Sequence, residues 1–326
     1  MTAYTMPQPG KAITVSAFSP ARMHATSILL VLIVMIVVAS IFIPDFASAN
    51  NISAILYTAA PVGVAAVGLA LITLSGNLFV LSLSSTAALA AIIFASMLGA
   101  GYPLAIAGAL LTGAVVGSMQ GAVVVGFKTN PIITSIAATS LISAAGQYLS
   151  GGRTVLASGD VGWLGNGQLF PGLPVQALIF IAIVAIVEFF IERSRMGREL
   201  RLTGMNRAAA KLAGLRSSPA AIISYLVAGS AAAAAGVMIA AQTGAGNMRV
   251  GQDIDFSAIA AVLIGGIGIK GGKGRIIDAA VGAVFVAVLS NILLVYGFSY
   301  EVQLMVKGLA VIFSVILGAA FAKEKN

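Results

Sequence analysis

The chain has 326 residues, of which 59% are hydrophobic and 9% charged, with 18 Lys and Arg against 10 Asp and Glu. An ordinary globular domain carries about 25% charged residues, so this composition and a mean hydropathy of +1.04 exclude a soluble protein and specify an integral membrane one. The formal charge of +8 lies beside the apolar runs, where attraction to anionic lipid accounts for it without a nucleic-acid partner.

Residues 46–127, 161–187, 217–248 and 279–300 contain no charged side chain. They lack the period-two alternation of a barrel strand, so the fold class is all-α, a polytopic transmembrane helix bundle. Residues 1–25, with Pro7, Pro9, Pro20, Lys11 and Arg22, read as a cytoplasmic tail. Breaks at Pro, Gly, Asn and charge clusters then give about ten spans in the domain 26–326: 26–43, 53–74, 79–99, 103–126, 131–149, 174–191, 219–241, 256–269, 277–297 and 302–321. The first also resembles a signal peptide, because residues 28–43 precede the small residues Ala47-Ser48-Ala49. Its apolar run is slightly long for that, which favours a retained helix.

Charge sets the orientation. With both termini inside, the outer loops hold Arg153 and Arg249 with the acids Asp45, Asp160, Asp253, Asp255 and Glu301, and the other basic residues lie inside, apart from Lys307 in the last span. That arrangement, N-in and C-in, obeys the positive-inside rule. Its strongest marker is the loop 192–216, where Arg193, Arg195, Arg198, Arg201, Arg207, Lys211 and Arg216 face only Glu192 and Glu199.

Several local patterns bear on function. Asn77 is a polar group in an apolar setting that needs a helix end, a solute or water as partner; with Phe79 and Ser82 it is a candidate pathway contact, or the three form a structural turn. Gly113, Gly117 and Gly121 recur every fourth residue, the spacing that brings two helices close. In the basic loop a short helix starts at Asn206, a good N-cap, and stops at Gly214. Ala208, Ala209, Leu212 and Ala213 share one of its faces and Arg207 and Lys211 another. So short a helix must pack on something, either its own bundle, the lipid interface, or a groove on a soluble partner. Asp253 and Asp255 open the eighth span, where negative charge suits the helix N-terminus and the two are candidate caps.

Glu188 and Asp278 are expected near cytoplasmic span ends, and Lys307 is expected to reach toward the outer surface. No charge then lies at mid-membrane, which argues against a proton or sodium relay. With no Cys and His24 alone, disulfides, thiolate or HExxH metal sites and Ser-His-Asp catalysis are excluded, and no catalytic residue or metal site is assigned. Gly266, Gly268 and Gly271 spell a dinucleotide fingerprint, but no βαβ unit surrounds them, and Gly274 stands where a phosphate loop needs Ser or Thr. This stretch reads as a tight cytoplasmic turn anchored by Lys270, Lys273 and Arg275.

The segment Gly204-Met205-Asn206-Arg207-Ala208-Ala209-Ala210-Lys211-Leu212-Ala213-Gly214-Leu215 resembles the G-x-N-x-x-A-A-x-x-x-G-[IL] loop of ribose-type bacterial ABC importer permeases. Asp255-Phe256-Ser257-Ala258-Ile259-Ala260-Ala261-Val262-Leu263-Ile264-Gly265-Gly266, followed by Gly271-Gly272-Lys273-Gly274, resembles that family's next signature. The likeness is sharp over about residues 195–290 and general elsewhere. It implies the membrane subunit of an importer in the bacterial inner membrane, paired with a second permease copy or paralogue, carrying a sugar or sugar-like solute. It also implies cytoplasmic ATPase subunits that hold ATP and Mg, no cofactor on this chain, and a periplasmic solute-binding protein, for which Asp253 and Asp255 are candidate contacts if they do not simply cap their helix. Gly204, Asn206, Arg207, Ala208, Ala209, Lys211, Leu212 and Gly214 are then the ATPase contact. At Ser75-Gly76-Asn77-Leu78-Phe79-Val80-Leu81-Ser82 the chain lacks the acid of the family's S-G-G-I-D-L-S, which weighs against a pentose. A transporter or channel acting without an ATPase is the alternative, and an intramembrane enzyme has no convergent acid, base and nucleophile to support it.

Overall fold

The computed structural model describes residues 20–77, 79–159, 161–215, 217–268 and 271–323, so most of the expected tail, Asp160, Arg216 and Lys270 lie outside the described residues. A helix covers each of the ten apolar segments: α1 (Pro20–Phe42), α2 (Ala49–Leu74), α3 (Leu83–Met97), α4 (Tyr102–Gly126), α5 (Pro131–Ser150), α7 (Val175–Arg193), α10 (Ser217–Thr243), α11 (Ile254–Ile264), α12 (Ile276–Val295) and α13 (Tyr300–Lys323). Among the described residues seven of these, α2, α3 together with the 3-10 turn Leu98–Ala100 that extends it, α4, α5, α7, α10 and α12, are long and apolar enough to cross a membrane. The one-turn α6 (Gly162–Gly165) and the loop helices α8 (Arg195–Met205) and α9 (Arg207–Leu212) complete the set. Two small antiparallel pairs brace the loops: β1 (Val155–Leu156) with β4 (Ala245–Gly246), and β2 (Gln168–Phe170) with β3 (Leu173–Pro174).

The centre of the bundle is α2, in which every residue from Ala59 to Leu74 is buried. Its sequence there is apolar on all sides, the pattern of a helix surrounded by other helices. Against it lie α10, α12, α11 and α7, and α10 packs in turn on α4 and α3. Small residues set these distances. A Cβ added at Gly113 would fall on the carbonyl oxygen of Gly229, one at Gly117 on that of Tyr225, and one at Gly236 on that of Ala87. The glycine stripe read from the sequence is therefore the α4 half of the α4–α10 contact, with Gly229 as its counterpart.

Buried amides close the remaining polar gaps, as an apolar environment demands. Gln176 of α7 is fully buried and donates to the carbonyls of Leu164 and Met238 at 2.9 and 3.0 Å, while Gln242 of α10 donates to its Oε1 at 2.6 Å. Asn51 and Asn291 exchange amide hydrogen bonds at 3.2 and 2.9 Å and so join α2 to α12.

Gly117→Val is expected to cost about 2 kcal/mol or more through overpacking against α10. Gly126→Ala, where a Cβ meets nothing within 4 Å, should leave stability unchanged or slightly raised. Thermal unfolding in detergent distinguishes the two; equal midpoints would show that α4 and α10 do not depend on close approach.

Candidate coupling and translocation site

The polar loop folds through a series of side-chain caps. Ser194 ends α7 and accepts from the amide of Gly197 at 2.9 Å, opening α8. Asn206, in extended backbone at φ −157°, ends α8 and opens α9 by accepting from Ala209 N at 3.0 Å. Gly214 closes α9 at φ +73°, with Gly214 N donating to Lys211 O at 3.1 Å and Leu215 N to Ala210 O at 3.0 Å. This double bond over a left-handed glycine is the Schellman stop. Only Ala210 of α9 turns inward. Arg207, Ala208, Ala209, Lys211 and Ala213 are exposed, Leu212 is 90% exposed, and Leu202 and Met205 of α8 stand open beside them. The predicted apolar face thus exists and is not laid on the protein's own bundle.

Gly204 sits differently from its neighbours. It is buried, and a Cβ there would land on the carbonyl oxygen of Leu74. That same carbonyl accepts from Gly272 N at 3.1 Å. Gly76 at φ +78° and Gly271 at φ +83° complete the junction, Gly76 packing on Gly204 and Gly271 on Gly76. Three backbones meet here without side chains between them: the end of α2, the end of α8 and the turn before α12. Gly204 consequently offers no surface to a partner, because backbone contact consumes it. Beside this junction Arg207 Nη2 donates to Asn77 Oδ1 at 3.2 Å, and Asn77 Nδ2 donates to Ser75 Oγ at 2.8 Å. The polar partner that Asn77 needs is supplied by the loop helix and the end of α2.

From here residues 79–82 run without helical structure into α3. The segment is pinned on two sides. Leu81 N donates to Ser135 Oγ at 3.0 Å and Leu81 O accepts from Thr139 Oγ1 at 2.6 Å, both on α5, while Ser82 Oγ donates to Gln120 Oε1 of α4 at 2.9 Å. Ser82 lines a small cavity with Thr86, Gln120 and Tyr225, large enough for about one water molecule. Tyr225 has a buried hydroxyl with no hydrogen-bond partner among the described residues. Phe79, by contrast, packs on the central core. Of the three pathway candidates, only Ser82 reaches the cavity.

The amino end of α3 is closed from another helix. Asp255 Oδ1 accepts from Leu83 N at 2.8 Å and Ser84 N at 3.2 Å, and its Oδ2 accepts from Ser84 Oγ. Asp253 lies 3.8 Å from Lys307 Nζ and accepts from Ser257 Oγ at 3.3 Å. Lys307 is 5% exposed and turned toward Asp253 rather than to the surface. Because α11 has 11 residues, it rises about 16 Å, near half the ~30 Å hydrocarbon core. Asp255, in the first turn of α11, is half-buried, and its carboxylate is held by α3.

A second carboxylate acts the same way at the loop. Glu188 of α7 accepts from Ile276 N at 2.7 Å and Ile277 N at 3.3 Å, capping α12, and from Arg275 Nε at 2.9 Å. Hydrogen bonding to Glu188 pushes the Arg275 guanidinium further above its usual high range.

Residues 51–315 match the family of branched-chain amino acid transport system permease components. The chain belongs to this permease family. It is 31% identical to the probable ABC transporter permease protein YphD of Escherichia coli over 331 residues, covering 100% of the chain and 99% of the relative. Ribose import permease protein RbsC of Escherichia coli is 29% identical over 307 residues, 92% of the chain and 95% of the relative. Autoinducer 2 import system permease protein LsrD of Klebsiella pneumoniae is 28% identical over 281 residues, 81% of the chain and 82% of the relative. No solved structure gives a significant match. The permease is thus a multi-pass membrane transport subunit, and in this family ATP hydrolysis belongs to a separate ATPase subunit.

In the permease Asp255→Ala should cost about 2 kcal/mol by stripping α3 of its cap, with Asp255→Asn costing less because one acceptor remains. Denaturant titration in micelles measures both. Wild-type stability of the alanine variant would show that the contact to α3 is not holding the helix end.

Proposed function

We propose that the permease is the membrane subunit of an ATP-driven importer in the bacterial inner membrane, ten spans with both termini inside, that moves a small sugar-like solute into the cytoplasm. The observation that carries this reading is the uncovered apolar face of α9 joined by bare backbone to the end of α2. A soluble ATPase that receives Leu212, Ala208, Ala209 and Ala213 in a groove gains apolar burial, with Arg207, Lys211 and the capping residues Asn206 and Gly214 fixing the helix's place.

Motion of α8 and α9 then has a short route inward. The Gly204 junction carries it to the end of α2, and the Arg207–Asn77 bond carries it to the segment 79–82, whose far end is the Asp255-capped start of α3. Only a two-state element biased by nucleotide on the partner is required. The cavity at Ser82 is too small for a sugar, so this conformation is closed there and the path opens when the segment moves. Among mainly apolar walls, Ser82, Thr86, Gln120 and Tyr225 supply hydroxyl and amide groups that suit a polyhydroxylated solute, and the ribose and autoinducer-2 import relatives support the same solute class. A second permease copy or paralogue has a surface to meet on α5, which exposes Ser140, Gln147 and Tyr148 among apolar residues. The outer loops, including the β1–β4 pair and the outer neighbourhood of Asp253, face a periplasmic solute-binding protein.

Leu212→Asp and Ala209→Asp should leave the melting temperature unchanged, since both sites are exposed, and reduce ATP-driven uptake at least about tenfold by placing a charge in the docking groove. Arg207→Gln should retain ATPase binding and lower the solute moved per ATP hydrolysed. Uptake into vesicles with parallel phosphate release checks all three; unaltered uptake by Leu212→Asp would overturn the docking role.

A further inference from the structure

Between α2, α7, α8 and α10 lies a groove of about 280 Å³, walled by Leu71, Val187, Phe190, Leu200, Ile223 and Val227. Its surface is entirely apolar: the one hydroxyl on its wall, that of Ser224, donates inward to Ala221 O at 2.7 Å. Water would find no hydrogen-bond partner in this space, so it calls for hydrocarbon. The wall comes from the last turns of α2 and α7 and the first turns of α8 and α10, so the groove lies at one membrane surface, that of the polar loop. Met196 and Leu200, four apart on α8, face it.

The charge beside the groove is positive and incompletely balanced. Arg193 follows Phe190 and Ile191 of the wall, and its guanidinium lies 5.8 Å from the ring centre of lipid-exposed Phe189. Among the described residues it has no carboxylate within ion-pair distance, because Glu192 is 3.5 Å from Arg275. The side chain of Arg195, at the start of α8, is 86% exposed and meets Glu199 at 2.9 Å. An apolar helix from another protein would satisfy the groove but leave Arg193 without an anion at the membrane surface. A lipid with a net negative head satisfies both.

We propose that this groove holds an acyl chain of an anionic phospholipid, whose phosphate rests on Arg193 and Arg195. Such a lipid would fill the space behind α8 and fix the angle at which α8 and α9 leave the bundle. The site relies on the importer reading only for its assignment to the inner leaflet.

The test is native mass spectrometry of the full chain released from nanodiscs of equimolar phosphatidylglycerol and phosphatidylethanolamine. Retained lipid should favour phosphatidylglycerol about tenfold, as two arginines at the surface allow. Arg193→Gln with Arg195→Gln should abolish the preference while keeping a bound chain, and Ile223→Trp, which fills the groove, should remove the retained lipid altogether. Equal retention of the two lipids by the wild type would overturn the proposal, as would an unchanged lipid count in Ile223→Trp or a polypeptide in place of lipid. ATP-driven uptake is measured alongside: equal retention of the two lipids by a wild type with intact uptake defeats this site alone, and absent uptake by a wild type that keeps its preference defeats only the importer reading.

Discussion

A helix end inside a membrane protein has no water to bond its free N–H groups, and an unmet one costs several kcal/mol. This permease breaks its path between α2 and α3 and again before α12, so it must supply acceptors at both places. It does so with carboxylates from distant helices: Asp255 of α11 for the start of α3, and Glu188 of α7 for the start of α12. Each cap serves two purposes. It satisfies the backbone, and it ties together helices that the chain itself does not connect. The breaks are therefore joints with defined partners.

Close backbone approach is the complementary constraint. Alanine and glycine let α4, α2 and α10 meet at distances that a larger side chain would prevent, and van der Waals packing replaces the hydrophobic force that lipid cannot provide. The same device occurs at the loop, where Gly76, Gly204 and Gly271 bring three chain segments into backbone contact. A push on α8 cannot be absorbed there by side-chain rearrangement, since no side chains intervene. On the proposed reading, the rigidity that packs the bundle also lets an ATPase act on its interior.

Much of this was legible in the sequence. Charge-free runs located the helices, Asn206 and Gly214 marked the two ends of α9, and the spacing of Gly113, Gly117 and Gly121 marked a helix contact. These are local signals, read within a few residues. The site was harder to read because its partners are remote: Asp255 meets Ser84 across 171 positions and Arg207 meets Asn77 across 130. Asp253 and Asp255 read as outer-loop acids from their place before the eighth span, and nothing local in the sequence marks that Asp255 closes the start of α3. Gly204 looked like part of the docking surface because it belongs to the same motif as Asn206, yet its lack of a side chain serves the junction beneath. Lys307 was expected to reach outward, and the half-exposed carboxylate of Asp253 at the start of α11 holds it instead.

The central claim is that this chain provides the passage while the force comes through α8 and α9 from another protein. Reconstitution measures it directly: solute accumulation in proteoliposomes containing the chain alone, with and without ion gradients, against the chain with its ATPase and binding protein. The account predicts accumulation only in the complete system and only with ATP. Concentrative uptake by the isolated chain would contradict it.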